Sequence, residues 1–111
     1  MHELGITRNL VAIVGEHAAG RRVRRVWLEI GERTALLPDA VRFCFDVVSK
    51  GTVLEGARLD ILSVRAGRCC TACGASVEDD GAACAACGTS ESRICSGDEL
   101  NIKAMEVEPC A

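Results

Sequence analysis

The chain has 111 residues and a formal net charge of -3, which leaves room for one modest hydrophobic core and a small module but not for two full domains. The acidic balance and an aromatic content of only 3% argue against a nucleic-acid surface, because such a surface needs basic or base-stacking residues. No stretch is apolar enough to span a bilayer, and Glu3 and Arg8 stand where a signal peptide would be apolar, so we expect a cytoplasmic protein without membrane association.

The first half of the chain predicts two amphipathic helices. Apolar residues recur at helical spacing over residues 4–19, and Gly20 is placed to end that helix. After a loop over residues 32–37, Pro38 suits the first turn of a second helix, which Gly51 closes. The predicted apolar stripes consist of Ile6, Leu10, Ile13 and Val14 in the first helix, and of Val41, Cys44, Phe45 and Val48 in the second.

Two segments between and after these helices alternate with a period of two, which is typical of half-buried strands. The first covers residues 26–30 and ends at Gly31. The second covers residues 57–61 and leads toward Gly67. Both segments carry charged residues on the face opposite their apolar residues, so the predicted sheet has one buried face.

Four of the eight cysteines form two CxxC pairs with ten residues between them, and a glycine follows each pair. Four thiolates at this spacing can occupy the corners of a tetrahedron, which is the arrangement of a closed structural zinc site. A glycine suits the residue that follows each tight turn, because this position often needs a positive φ. We therefore predict a zinc ribbon over residues 67–95. The predicted ligands are Cys70, Cys73, Cys84 and Cys87.

Two other uses of paired cysteines are less consistent with this segment. A thioredoxin-like redox site needs one pair at the start of a helix, whereas two pairs here lie in a loop rich in glycine and alanine. An iron–sulfur centre could use four thiolates, but the spacing differs from that of the ferredoxins. In a reducing compartment the eight cysteines cannot be counted as four disulfides, because thiols are kept reduced there.

The other four cysteines have no predicted metal-binding role. The symmetric two-residue gap favours Cys70 over Cys69 as the first ligand, which leaves Cys69 as a spare thiol. Cys44 lies on the apolar stripe of the second helix and is predicted to be a small core residue. For Cys95 and Cys110 the sequence suggests no partner.

A third strand is predicted over residues 100–104, with a change of phase at Met105 and Val107 that indicates a bulge or strand end. This strand has no partner inside a zinc ribbon, so we expect it to return to the first sheet. The predicted fold class is α+β, with two helices on a three-stranded sheet and an inserted zinc-ribbon module. The predicted domains are residues 1–66 plus 96–111, and residues 67–95.

His2 is a second candidate for metal binding because it follows the amino terminus. The Met1 amine, the His2 backbone nitrogen and the His2 imidazole can close fused chelate rings around one ion. Three nitrogens at the corners of a square suit Ni(II) or Cu(II). Taken alone, the sequence also allows a simple solvated histidine. His17 is expected to pack at the end of the first helix and is a weaker second ligand.

Read together, these features closely resemble the HypA/HybF family of hydrogenase nickel-incorporation proteins. The resemblance runs in order over essentially the whole chain and includes the two CxxC pairs. The other segments that carry it are MHEL (residues 1–4), LEIG (28–31), FCFD (43–46), KGT (50–52), EGA (55–57) and GDEL (97–100).

The resemblance implies a nickel metallochaperone, not an enzyme, that delivers Ni(II) to the large subunit of [NiFe] hydrogenase with a HypB-type GTPase. Urease maturation is a further role in some organisms, and a homodimer is an open option. The resemblance also implies that His2 is the nickel ligand, with the Met1 amine and Glu3 nearby. It implies that the four paired cysteines are the zinc ligands. Family members often carry an acidic residue where this chain has Leu37, two places before Asp39.

Two other function classes remain open from the residues themselves. One is a zinc-ribbon interaction module without a nickel role, which predicts zinc alone. The other is a thiol redox switch, which predicts reversible disulfides.

Overall fold

The computed structural model describes residues 2–78 and 82–109, and these residues form an α+β fold, as predicted. They contain two helices and two three-stranded sheets. In chain order the elements are α1 (His2–Ala18), β1 (Val23–Gly31), a 3-10 turn (Glu32–Thr34), α2 (Pro38–Ser49), β2 (Arg58–Val64), β3 (Gly67–Cys70), β4 (Ser76–Val77), β5 (Ser92–Ser96) and β6 (Leu100–Val107). Within the described residues, neither helix is long and apolar enough to cross a membrane.

The larger sheet has the strand order β2-β1-β6. β1 pairs with β2 in parallel, which the intervening α2 makes possible because parallel neighbours need a crossover connection. β6 pairs with β1 antiparallel, so the last strand returns to the first sheet, as predicted. β1 therefore lies at the centre and connects the two ends of the chain.

Both helices pack on one face of this sheet and share a single core with it. In β1 the buried residues alternate, with Val26 and Leu28 no more than 1% exposed. Ile13, predicted to belong to the core stripe of α1, is instead 46% exposed. At about 100° per residue, Ile13 lies well to one side of the buried face of α1. That face consists of Thr7, Leu10, Val11, Val14 and Ala18.

The buried face of α2 is narrower than predicted. Val41 and Phe45 are fully buried in the common core. Cys44, predicted to be a core residue, is only half-buried and lies at the margin of this face together with Val48. Ser49 takes the next buried position, one helical turn after Phe45.

β6 is irregular, as its change of phase indicates. Its pairing with β1 shifts between Ala104 and Ile102, which leaves Lys103 as an extra residue. A second shift on the β1 side leaves Arg24 unmatched between Val23 and Arg25. The extra residue Lys103 explains how Ile102 and Met105 can both pack against the core although they are three positions apart.

The smaller sheet has the order β4-β3-β5 and is antiparallel throughout. Along the chain it is inserted between β2 and β6. The Arg33 N–H donates to the Gly97 carbonyl at 2.7 Å at the junction with the larger sheet. Independent folding of the two predicted domains stays a prediction.

Candidate metal centre

The two cysteine pairs occupy two equivalent turns. In the first turn the Gly74 N–H donates to the Cys70 carbonyl at 2.9 Å, and the Cys70 N–H donates to the Ala75 carbonyl at 2.8 Å. The second turn repeats these two bonds at 2.7 and 2.8 Å, from Gly88 to Cys84 and from Cys84 to Thr89. Both glycines have φ +80°, which a residue with a side chain rarely adopts. Each turn thus presents its two sulfurs to the same side.

The two turns bring four sulfurs together. All four Sγ atoms lie within 4.8 Å of one another. The Cys70 and Cys87 sulfurs are 3.4 Å apart, and those of Cys73 and Cys84 are 3.6 Å apart. A tetrahedral zinc ion with Zn–S bonds of about 2.3 Å requires sulfurs about 3.8 Å apart. The donor set and its spacing therefore fit Zn(II).

The apolar core around the cluster is very small. Cys70 and Cys84 are buried, with exposures of 1% and 3%, together with Val77. Of the residues that the structure describes, only Ala75 and Ala82 pack against them. Since so little apolar surface is buried, metal–sulfur bonds would supply the stability that this module needs.

Interactions within and between the turns shift the pKa values of Cys87 and Cys73 in opposite directions. The Thr89 hydroxyl and backbone N–H lower the pKa of the Cys87 thiol to about 6. The Ala75 backbone favours the Cys73 thiolate, but the neighbouring sulfurs and burial outweigh it and raise the pKa of Cys73 to about 11. A cation held between the sulfurs would remove the repulsion that keeps Cys73 protonated.

Cys69 lies outside the cluster and is not the spare thiol that we expected. It forms a disulfide with Cys95, with 5.8 Å between the two Cα atoms. The expectation that the thiols are kept reduced is therefore wrong for this pair. The pairing of β3 with β5 shifts between Gly67 and Arg68, which leaves Cys95 as an extra residue on β5. The two cysteines are 26 residues apart in the sequence, and this separation does not indicate that they lie close together. Cys110 lies outside the described residues.

The predicted nickel residues lie at the start of α1. His2 is the first residue of that helix and is exposed, whereas Met1 lies outside the described residues. The Glu3 carboxylate accepts a hydrogen bond from the Leu37 N–H at 3.4 Å. Hydrogen bonds from its own backbone and from Leu37 lower the pKa of the Glu3 carboxyl, so it is ionised at neutral pH.

His17 cannot share an ion with His2. It is exposed in the last turn of the same helix. At a rise of about 1.5 Å per residue, the two histidines are separated by roughly 22 Å along the helix axis. The sequence alone suggested His17 as a weaker second ligand, and the length of α1 between the two histidines excludes this within one chain.

Comparison with known proteins places these features in one family. The family model described as "Hydrogenase/urease nickel incorporation, metallochaperone, hypA" matches residues 1–107. The hydrogenase maturation factor HypA of Trichormus variabilis is 53% identical over 110 residues, which cover 97% of this chain and 96% of that protein.

Two solved structures have the same fold. The solution structure of a HypA protein superposes with a TM-score of 0.78 at 26% identity and covers 97% of both chains. That of the Ni metallochaperone HypA from Helicobacter pylori has a TM-score of 0.65 at 23% identity, covering 95% of this chain and 96% of that one. The chain therefore belongs to the HypA family of nickel metallochaperones for hydrogenase maturation, which are not enzymes.

Proposed function

We propose that this chain binds Ni(II) at its amino-terminal end and delivers it to [NiFe] hydrogenase, while the four clustered cysteines hold a structural Zn(II). The observation that carries the proposal is a nickel-incorporation family match over residues 1–107 together with an exposed histidine at the start of α1. Nickel is the cargo in this scheme, and zinc is the resident metal.

The start of a helix supplies the donor atoms that a nickel chelate needs. The first four N–H groups of a helix have no carbonyl partner within it. The His2 backbone nitrogen is one of these, so an ion can bind it without breaking the helix. With the Met1 amine and the His2 imidazole it offers three nitrogens in the square arrangement that suits Ni(II).

Glu3 would offset an electrostatic disadvantage of this position. The amino-terminal end of a helix carries a positive partial charge, which disfavours a cation. The ionised Glu3 carboxylate lies in the first turn of α1 and supplies the opposite charge. Its hydrogen bond to Leu37 also brings the start of α1 near the first turn of α2, which contains Asp39. We propose that Asp39 substitutes for the acidic residue that family members often carry where this chain has Leu37.

The delivery scheme involves two partners, a HypB-type GTPase and the large subunit of [NiFe] hydrogenase. A nickel site on an exposed helix start can be approached by an acceptor site without unfolding the chaperone. The description of the family supports urease as a further client. We place the protein in the cytoplasm and leave a homodimer as the alternative to a monomer.

Nickel titration of the untagged protein, followed by absorption spectroscopy, tests the proposal. We expect one Ni(II) per chain in the wild type and none in the His2→Ala variant, with zinc content and fold unchanged in both. One extra residue before Met1 should have nearly the same effect as His2→Ala, because it converts the amine into an amide. His17→Ala is the matched control and should bind nickel as the wild type does.

Undiminished binding by both the His2→Ala variant and the extended chain would contradict the proposed site. Nickel would then bind elsewhere, and the cysteines would be the first place to look. A chain that binds zinc and no nickel in any form would instead favour a plain zinc-ribbon interaction module.

A further inference from the structure

The disulfide between Cys69 and Cys95 encloses the entire cysteine cluster. All four clustered residues lie between these two positions in the sequence. We propose that this pair is a thiol–disulfide exchange site, opened by small thiols or dithiols, that sets how fast the cluster releases its metal. The inference rests on the proposed zinc site for its consequence but not for the exchange chemistry.

The disulfide is accessible to a reductant. Cys95 is exposed and Cys69 is half-buried on the smaller sheet. Arg93 lies directly opposite Cys69 in the β3–β5 ladder and is exposed as well. Because the attacking species in thiol–disulfide exchange is a thiolate anion, a positively charged residue at the position opposite Cys69 favours its approach.

The exchange needs two thiol groups from the reductant. A thiolate attacks the exposed Cys95 sulfur, which breaks the bond to Cys69 and releases Cys69 as a thiolate that takes up a proton. The second thiol then displaces Cys95 from the mixed disulfide. Two electrons and two protons pass to the protein, and the reductant leaves as a disulfide. Oxidised glutathione can reverse the sequence.

The position of the disulfide connects its redox state to the metal cluster. Cys69 precedes the clustered Cys70 directly, so the bond fixes the strand that carries this ligand. Cys95 precedes Ser96, whose hydroxyl donates to the Arg65 carbonyl at 3.0 Å where the chain enters the smaller sheet. The bond therefore holds together the two strands through which the module is attached to the rest of the protein.

Opening the ring should accelerate metal loss. With the disulfide closed, the ligands stay close together even when one sulfur leaves the metal, because the ring limits how far the strands can separate. With it open, the short β3–β5 ladder, the hydrogen bonds from the Arg68 side chain to Ser92 and the metal itself oppose separation. A ring of this size removes enough chain entropy for an effect of about tenfold or more on release.

The test uses the full-length protein with zinc bound. The rate of zinc transfer to the chromogenic chelator pyridylazoresorcinol is measured for two samples. One sample is kept in oxidised glutathione. The other is reduced with dithiothreitol, and the dithiothreitol is removed before the measurement. We expect release about tenfold faster from the reduced form. Cys69→Ser and Cys95→Ser should release zinc at this faster rate under both conditions. Cys44→Ser, which alters a thiol on α2, should behave as the wild type does.

Mass spectrometry after alkylation reads the disulfide independently of zinc. After digestion, the peptide pair joined by Cys69 and Cys95 should be present in the oxidised wild type and absent from each single variant, and both cysteines should carry a label in the reduced wild type. Equal labelling of the two wild-type forms would overturn the exchange site, and equal release rates would overturn its control of the metal. Absence of bound zinc with a normal labelling difference would instead contradict the zinc assignment and leave the exchange site standing.

Discussion

Gly31 is a residue at which the junction between the two sheets leaves no space for a side chain. A Cβ at this position would lie 2.1 Å from the Gly97 carbonyl oxygen and 2.7 Å from the Asp98 nitrogen. The constraint is steric, because the Gly31 φ of -79° is open to any residue. The Gly31 N–H also donates to the Glu99 carbonyl at 2.8 Å, so the two backbones cannot separate without losing this bond.

Gly31→Ala should therefore lower the free energy of unfolding by about 2–3 kcal/mol, since overpacking against backbone atoms cannot be relieved by a side-chain movement. Gly5→Ala is the matched control. Gly5 lies inside α1, and a Cβ at this position would meet nothing within 4 Å. That change should raise stability by about 0.5–1 kcal/mol because alanine favours the helix. Urea denaturation measures the free energy of unfolding of both variants. An unchanged value for Gly31→Ala would contradict the close approach of the two backbones.

At the scale of elements, the parallel pair β1–β2 places two like charges opposite each other. Arg25 and Arg58 are register partners, an arrangement that is unfavourable by itself. Asp60 accepts hydrogen bonds from both, with its second oxygen 3.1 Å from the Arg58 Nε. The Arg25 guanidinium in addition stacks over the Trp27 ring at 4.5 Å. Asp60 thus links the two neighbouring strands.

The bond from Arg25, together with the charges of both arginines, lowers the pKa of Asp60 below its ordinary value of 3.8. Because the folded pKa is the lower one, this stabilisation is present above pH 3.8 and is lost as the pH falls through the folded pKa. Asp60→Asn should lower the melting temperature modestly at pH 7. The difference from the wild type should shrink as the pH falls below 3.8. Melting curves of both proteins, recorded from neutral to strongly acidic pH, measure this difference in melting temperature. A difference that does not change with pH would contradict the prediction.

At the scale of the whole molecule, the two sheets depend on different forces. The larger sheet shares a continuous apolar core with both helices. Among the described residues, the core of the smaller one consists of Cys70, Cys84, Val77 and two alanines. Loss of metal should therefore affect the two parts unequally.

Cys70→Ala should reduce zinc content toward zero and unfold the smaller sheet, while the helices and the larger sheet stay folded. Elemental analysis measures the zinc, and amide hydrogen exchange locates the unfolded residues. Cys44→Ala is the control and should retain full zinc. Full zinc occupancy in a folded variant that lacks both Cys70 and Cys73 would contradict the assignment of these ligands.

Local features of the chain were predictable because local chemistry specifies them. The CxxC spacing with its glycines indicates the paired turns, and the 3.6-residue and two-residue periods indicate the helices and strands. The element bounds were less accurate. The helix predicted over residues 4–19 is α1 (His2–Ala18), and the strand predicted over residues 26–30 is β1 (Val23–Gly31). Pairing with neighbouring strands extends a strand past its alternating residues, and periodicity does not show that pairing.

The fold class, the cysteine cluster and the family follow from the amino-acid sequence, since each depends on residue type and spacing along the chain. The parallel pairing of β1 with β2, the exposure of Ile13 and the bond between Cys69 and Cys95 are visible only in three dimensions. The distance between His2 and His17 likewise follows from the path of α1. These features depend on how elements far apart in the sequence lie against one another, and a single unaligned sequence contains no signal for such contacts.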